Sequence, residues 1–128
     1  MTIACLHTAA SNIALFDHAA HSLDLPPHTL SHIVMPHLLA EAEQSGGMTQ
    51  EQQQRLAQLL HSIGPWFDAI VITCSTLGPV AAPFQPQTSG LPVYRADRLL
   101  ADHLHQMARP ALVICAAHST LAPTRLLF

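Results

Sequence analysis

The sequence predicts an α/β chain built on a parallel sheet, and three observations carry that expectation. Short apolar or alternating runs recur at residues 3–6, 29–35, 69–73, 93–96 and 111–117. Most of the intervals between them contain apolar residues at helical spacing. Gly, Pro, Ser or Asp punctuates most of the changeovers. Strands that alternate with helices imply right-handed βαβ units and a parallel sheet covered on both faces.

Each element has its own signal. Residues 3–6 are an apolar run that ends in His7-Thr8, and they form the first expected strand. Ser11 is placed to cap a helix that carries Ile13, Phe16, Ala20 and Leu23 on one face. Residues 24–27, Asp-Leu-Pro-Pro, break it. Alternation of Leu30, His32 and Val34 predicts a second strand within 29–35, limited in length by Pro36. Residues 37–44 suit a short helical turn and residues 45–47 a loop. Thr49 followed by Gln52 is a capping-box pattern, and Leu56, Leu59, Leu60 and Ile63 continue it at helical spacing. Gly64-Pro65 stops that helix.

The third strand, residues 69–73, then delivers Cys74, Ser75 and Thr76 where its apolar run stops, and Gly78-Pro79 bends the chain toward a helix start. The Pro-rich residues 78–92 suit one short helix and then a loop. Residues 93–96 form a short fourth strand, with Asp97 placed to cap a helix over 98–107 that Pro110 ends. Residues 111–117 read as a fifth, fully buried strand. Ser119 or Thr120 then begins a last helix that tolerates Pro123 in its first turn. The expected architecture is a three-layer, flavodoxin-like lobe with strand order 2-1-3-4 and a fifth strand at 111–117. It spans 1–128 as one unit, or 111–128 opens a second lobe.

Composition narrows the function classes. At 128 residues, 49% of them hydrophobic, the chain is long enough to bury a real core. No apolar run approaches the roughly 20 residues of a membrane span. The N-terminal stretch has no Lys or Arg and does not read as a signal peptide. Charged residues are 10%, against about 25% in an average domain. The five basic residues are all arginines, and the net charge is −3. Nucleic acid is therefore not an expected partner, since phosphate binding needs clustered positive charge. So few charges also fit a surface partly covered by a partner subunit or second domain. Cys5, Cys74 and Cys115 make no close pair and no zinc spacing, which implies free thiols in a reducing, cytoplasmic compartment. Cys5 and Cys115 sit inside apolar runs, where a thiol behaves as a small core residue. Only Cys74 sits at an element end.

Parallel sheets bind ligands at the carboxyl ends of their strands, where the strand order switches. In a 2-1-3-4 order the switch lies between strands 1 and 3, so residues 7–12 and 74–78 face one crevice. A thiol there faces the first amides of a helix, a setting that favours thiolate chemistry.

These residues carry a family resemblance. Ile-Thr-Cys-Ser-Thr-Leu-Gly-Pro at 72–79 resembles the first-lobe cysteine motif of the aspartate/glutamate/hydantoin racemase superfamily. Leu6-His7-Thr8 with Ser11-Asn12 is similar to that family's first-strand loop, and Pro92-Val93 leading to Asp97 to its fourth strand. His118-Ser119-Thr120 with Thr124 resembles the Thr-rich turn that opens the second lobe. The resemblance covers nearly the whole chain and about the first half of a family member. It implies cofactor-independent proton transfer at a carbon next to a carboxylate, with one cysteine from each of two lobes. Arylmalonate decarboxylases of the same superfamily use a single cysteine as proton donor. Cys74 matches the first-lobe cysteine. The second has no counterpart here, so a homodimer or a further lobe is the implied source.

The expected roles follow from that chemistry. An α-proton beside a carboxylate is weakly acidic, and the developing enediolate needs preorganised donors. Thr8, Ser75 and Thr76, with the amides around 75–78, would supply them. Cys74 would be the acid/base, Asn12 would hold a substrate carboxylate or amide, and His7 would tune the thiolate. The alternative for the hydroxyls is turn capping, and for Cys74 a structural thiol. A non-catalytic domain that binds a small anion or self-associates would use the same crevice. No cofactor and no metal is expected. His28 and His32 are four apart but extended, and His103 and His105 do not share a helix face.

Overall fold

A computed structural model describes residues 1–84 and 90–128. Four strands, β1 (Ile3–His7), β2 (Leu30–Val34), β3 (Ala69–Ile72) and β4 (Val93–Arg95), form one parallel sheet in the order β2-β1-β3-β4. The helices are α1 (Asn12–Ser22), α2 (Pro36–Gln44), α3 (Gln50–Ile63), α4 (Ala96–Met107) and α5 (Leu121–Leu127). Tight 3-10 turns occupy Gly64–Trp66, Gly78–Phe84 and His118–Thr120. The expected α/β class and the order of the first four strands are what the structure has.

Strand alternation divides the sheet into two chemically different faces. Ala4 and Leu6 of β1, with Ile70 and Ile72 of β3, pack against Leu56 and Leu60 of α3 and against Leu77, Val80 and Phe84. That face is the hydrophobic core. The opposite face carries Cys5 and His7, with Val71 beside Cys5 and His32 opposite it on β2. Helix α1 lies over this second face, where the Phe16 ring stands 5.5 Å from the His7 ring. Helices on both faces make three layers.

Local signals account for most element ends. The capping box at the start of α3 is complete: Gln52 N–H donates to Thr49 Oγ1 at 3.1 Å, and Thr49 N–H donates to Gln52 Oε1 at 2.9 Å. Pro36 occupies the first turn of α2, where its missing N–H is harmless. Ser11 does precede α1, but its side chain makes no capping bond.

Two expectations are corrected. Asp97 does not cap α4; Arg95 holds the cap position, and Asp97 lies inside the first turn. Its carboxylate accepts from Arg95 Nε at 3.0 Å and Nη2 at 2.9 Å, so a cation two residues upstream captures it. The negative charge still stands at the favourable end of the helix dipole.

The second correction is the fifth strand: residues 111–117 form none. Leu112 is 88% exposed and Ile114 84%. The physical reason is at the sheet edge. β4 pairs through only three positions, and α4 ends at Ala108 in the left-handed region before Pro110, which has no N–H for a ladder.

The Pro-rich passage begins with the turn at Gly78–Phe84, and its continuation at 85–89 lies outside the described residues. Among the described residues, no helix is long and apolar enough to cross a membrane.

Candidate functional site

The carboxyl ends of β1 and β3 lie side by side at the switch in strand order. Leu6 is level with Ile72, and the pairing runs one residue further, with Thr73 N–H donating to Leu6 O at 3.0 Å. His7 and Thr8 follow Leu6 on one chain segment, and Thr73 and Cys74 follow Ile72 on its neighbour. Thr8 is buried, Cys74 half-buried, and Asn12 opens α1 as a half-buried residue. The first-strand loop and the Cys74 turn therefore leave neighbouring strand ends.

The turn after Cys74 is tight. Leu77 N–H donates to Cys74 O and Gly78 N–H to Ser75 O, each at 3.2 Å. The backbone at Gly78 is closely approached by the Arg95 guanidinium, so a Cβ there, 2.6 Å from the Arg95 Cζ, would have to displace that side chain. Thr76 is buried and shares a 3.1 Å hydrogen bond with Ser119 Oγ, which fastens the C-terminal turn to this loop. Two clefts flank that contact. One, of about 790 Å³, is lined by Thr76, Ser119, His118 and Arg125; the other, of about 330 Å³, by Ser75, Asp97, Cys115 and Thr124. Cys74 is on the wall of neither. It packs instead toward the core cluster that holds Ile70 and Ile72.

His7 does not join Cys74. Alternation sends residues 5 and 7 to the face opposite Leu6 and Ile72, while Cys74 packs on the core side. Both His7 nitrogens are engaged elsewhere. Nδ1 lies 2.7 Å from Thr73 Oγ1, and Nε2 lies 2.9 Å from His32 Nδ1. His32 Nε2 lies 2.7 Å from Asp17 Oδ1, and the Thr73 hydroxyl donates to Leu6 O at 3.1 Å. A continuous hydrogen-bonded chain thus runs from Asp17 on α1 through His32 on β2 and His7 on β1 to Thr73. The His7 ring is fully buried, and that burial, reinforced by His32 and opposed by Asp17, lowers its pKa from 6.5. It is neutral at neutral pH.

Cys5, 1% exposed, lies on the same face. Burial first, and the Asp17 carboxylate second, push its thiol up to about 11. Its sulfur and one ring nitrogen each of His7 and His32 lie within 4.8 Å of one another.

The structure sets Thr8 and Cys74 just past neighbouring strand ends, ties Thr76 to the C-terminal turn, and puts His7 on the other side of the sheet. Cys5, His32, Asp17 and Thr73 were not among the expected site residues. Part of their signal was readable, because Cys5-Leu6-His7 on a strand puts 5 and 7 on one face. The pairing of Cys5 with His32 depends on register between separate segments, which no local pattern encodes. No family model, curated protein or solved structure matches the chain.

Proposed function

We propose that this chain carries one half of a cofactor-independent proton-transfer site acting at the α-carbon of a small carboxylic acid, with Cys74 as the acid/base. The observation that supports it is where Cys74 stands: two residues past the end of inner strand β3, at the switch between β1 and β3, and half-buried. Ligands of parallel sheets gather at that point. Thr8, Ser75 and Thr76 are the donors for a developing enediolate, and Asn12 holds the substrate's polar group. Arg125, on the cleft beside Thr76, adds positive charge for a carboxylate. Proton return to the opposite face needs a second acid, supplied by a second copy of the chain or by a further lobe. With only one acid, decarboxylation followed by protonation remains open to the site.

The test is α-hydrogen exchange in D₂O, followed by NMR, over a panel of small 2-amino acids, 2-hydroxy acids and aryl malonates. Exchange or decarboxylation of at least one class is expected. Cys74→Ser should reduce it by about 100-fold or more, the usual worth of a positioned acid/base. No turnover with any class, or turnover indifferent to Cys74→Ser, overturns the reading.

A second reading is a self-associating, non-catalytic domain on the same fold. The exposure of Leu112, Val113 and Ile114 favours it, since a run of three exposed apolar side chains is typical of a surface awaiting a partner. Sedimentation distinguishes the two: a dimer without exchange chemistry supports the second reading.

A further inference from the structure

On the α1 side of the sheet, away from Cys74, the geometry points to a transition-metal site: we propose that Cys5 Sγ, His7 Nε2 and His32 Nδ1 bind one zinc(II)-class ion between β1 and β2.

Three features of the arrangement carry this. First, donors of the right kind converge. Register pairs Cys5 with His32, alternation puts His7 beside both, and one donor atom from each of the three residues lies within 4.8 Å of the others, with His7 Nε2 and His32 Nδ1 facing each other. A tetrahedral ion with Zn–N and Zn–S bonds of ordinary length needs N···N and S···N separations of roughly 3.3–3.6 Å. The two ring nitrogens, now 2.9 Å apart, have to open by only about 0.4 Å. His32 lies on edge strand β2, so the opening is toward the sheet edge.

Second, the nitrogens that face away from the cluster are already held. Asp17 Oδ1 is 2.7 Å from His32 Nε2, and Thr73 Oγ1 is 2.7 Å from His7 Nδ1. Metal-binding imidazoles have this support, a carboxylate or other oxygen that fixes the tautomer and turns the free lone pair toward the ion. The Thr73 hydroxyl donates onward to Leu6 O, which leaves its oxygen free to accept from His7.

Third, the charges match. A dication bound to the Cys5 thiolate, with the Asp17 carboxylate one ring away, leaves no net charge in a buried place.

The protons balance as follows. The ion takes the place of the proton between the two rings. His7 keeps a proton on Nδ1, donated to Thr73, and His32 keeps one on Nε2, donated to Asp17. The proton shared by the two rings and the Cys5 thiol proton both go to solvent, so two protons leave for each ion bound. One thiolate and two imidazoles, with no carboxylate ligand, suit zinc or copper and disfavour magnesium or calcium. The His32 side chain is 14% exposed and Asp17 58%, so the ion enters along the edge of β2 under α1.

The experiment uses the untagged full chain under reducing conditions, with Zn²⁺ followed by calorimetry and Co²⁺ by absorption. One ion should bind per chain, raise Tm, release protons and be removed by chelator. The Co²⁺ form should show a thiolate-to-metal charge-transfer band. Cys74→Ala and Cys115→Ala should leave that band unchanged, and Cys5→Ser should abolish it. Asp17→Asn, a change at a partly exposed carboxylate, should weaken binding by about 10–100-fold. His32→Gln should lose the site while the apo fold persists by circular dichroism. Absence of one-to-one binding leaves Asp17–His32–His7–Thr73 as a hydrogen-bonded chain only and overturns the proposal. Binding that survives both Cys5→Ser and His32→Gln also overturns it, because the ion then sits on other histidines. Neither outcome bears on Cys74, whose test is separate.

Discussion

Cys5 and His7 are buried in the protonation states that carry no charge, and this sets how the metal-free chain responds to pH. His7 takes up a proton at 6.5 when unfolded and only at lower pH when folded. The unfolded state then binds more protons, so stability falls as pH drops below 6.5 and levels off below the lowered folded value. Cys5 works at the other end. Its thiol ionises at 9.0 when unfolded and at about 11 when folded, so the stability it contributes is complete below 9.0 and is lost as pH rises through about 11. That shift is worth roughly 2–3 kcal/mol. Urea unfolding across pH, with chelator present, should show both limbs. Cys5→Ala should flatten the alkaline limb relative to the unmutated chain. An identical alkaline slope in the two proteins would show that the thiol does not ionise later in the folded state.

The helices differ in how firmly their starts are made. α3 opens on a reciprocal capping box, so Thr49→Ala removes an acceptor from the Gln52 N–H and should cost about 1 kcal/mol. α1 follows Ser11, which makes no side-chain bond, and Ser11→Ala should stay within about 0.5 kcal/mol. Chemical denaturation of the two variants side by side checks the contrast; equal costs would contradict it. The same comparison bears on reading caps from sequence. A capping box is a two-sided pattern and therefore specific, whereas a lone Ser before an apolar face identifies a helix start without identifying its bonds. Asp97 failed as a cap for a related reason: Arg95, two residues before it, offers a stronger partner than the helix amides.

Over the whole molecule, burial is unevenly divided. Leu60 is 0% exposed within the α3 side of the core, while Leu112 and Ile114 stand in solvent. Leu60→Ala should therefore destabilise the chain by about 2–5 kcal/mol. The double change Leu112→Ser with Ile114→Ser should leave the unfolding free energy of the isolated chain within about 0.5 kcal/mol. Denaturation at low protein concentration tests this. A large loss in the double variant would mean that residues 111–114 are buried in solution, by a second copy or by another arrangement of the segment.

Patterns local in the chain were readable from the residues alone. The 3.6-residue spacing of Leu56, Leu60 and Ile63, the alternation through Leu30–Val34 and the Gly-Pro stops are short-range consequences of backbone geometry. They suffice for the α/β class, while the order of the first four strands came from the doubly wound architecture expected of that class. That expected order also puts Thr8 and Cys74 at neighbouring strand ends. Three matters were decided only by tertiary structure. Residues 111–117 are as apolar as a buried strand, yet a strand exists only where an edge pairs with it, and this segment is not paired with β4. His7 lies one residue from Thr8 and on the other face of the sheet, because strand side chains alternate and helices cover each face separately. The meeting of Cys5 and His7 with His32, 25 residues beyond His7, depends on register between two strands, a long-range quantity set by how α1 packs across them.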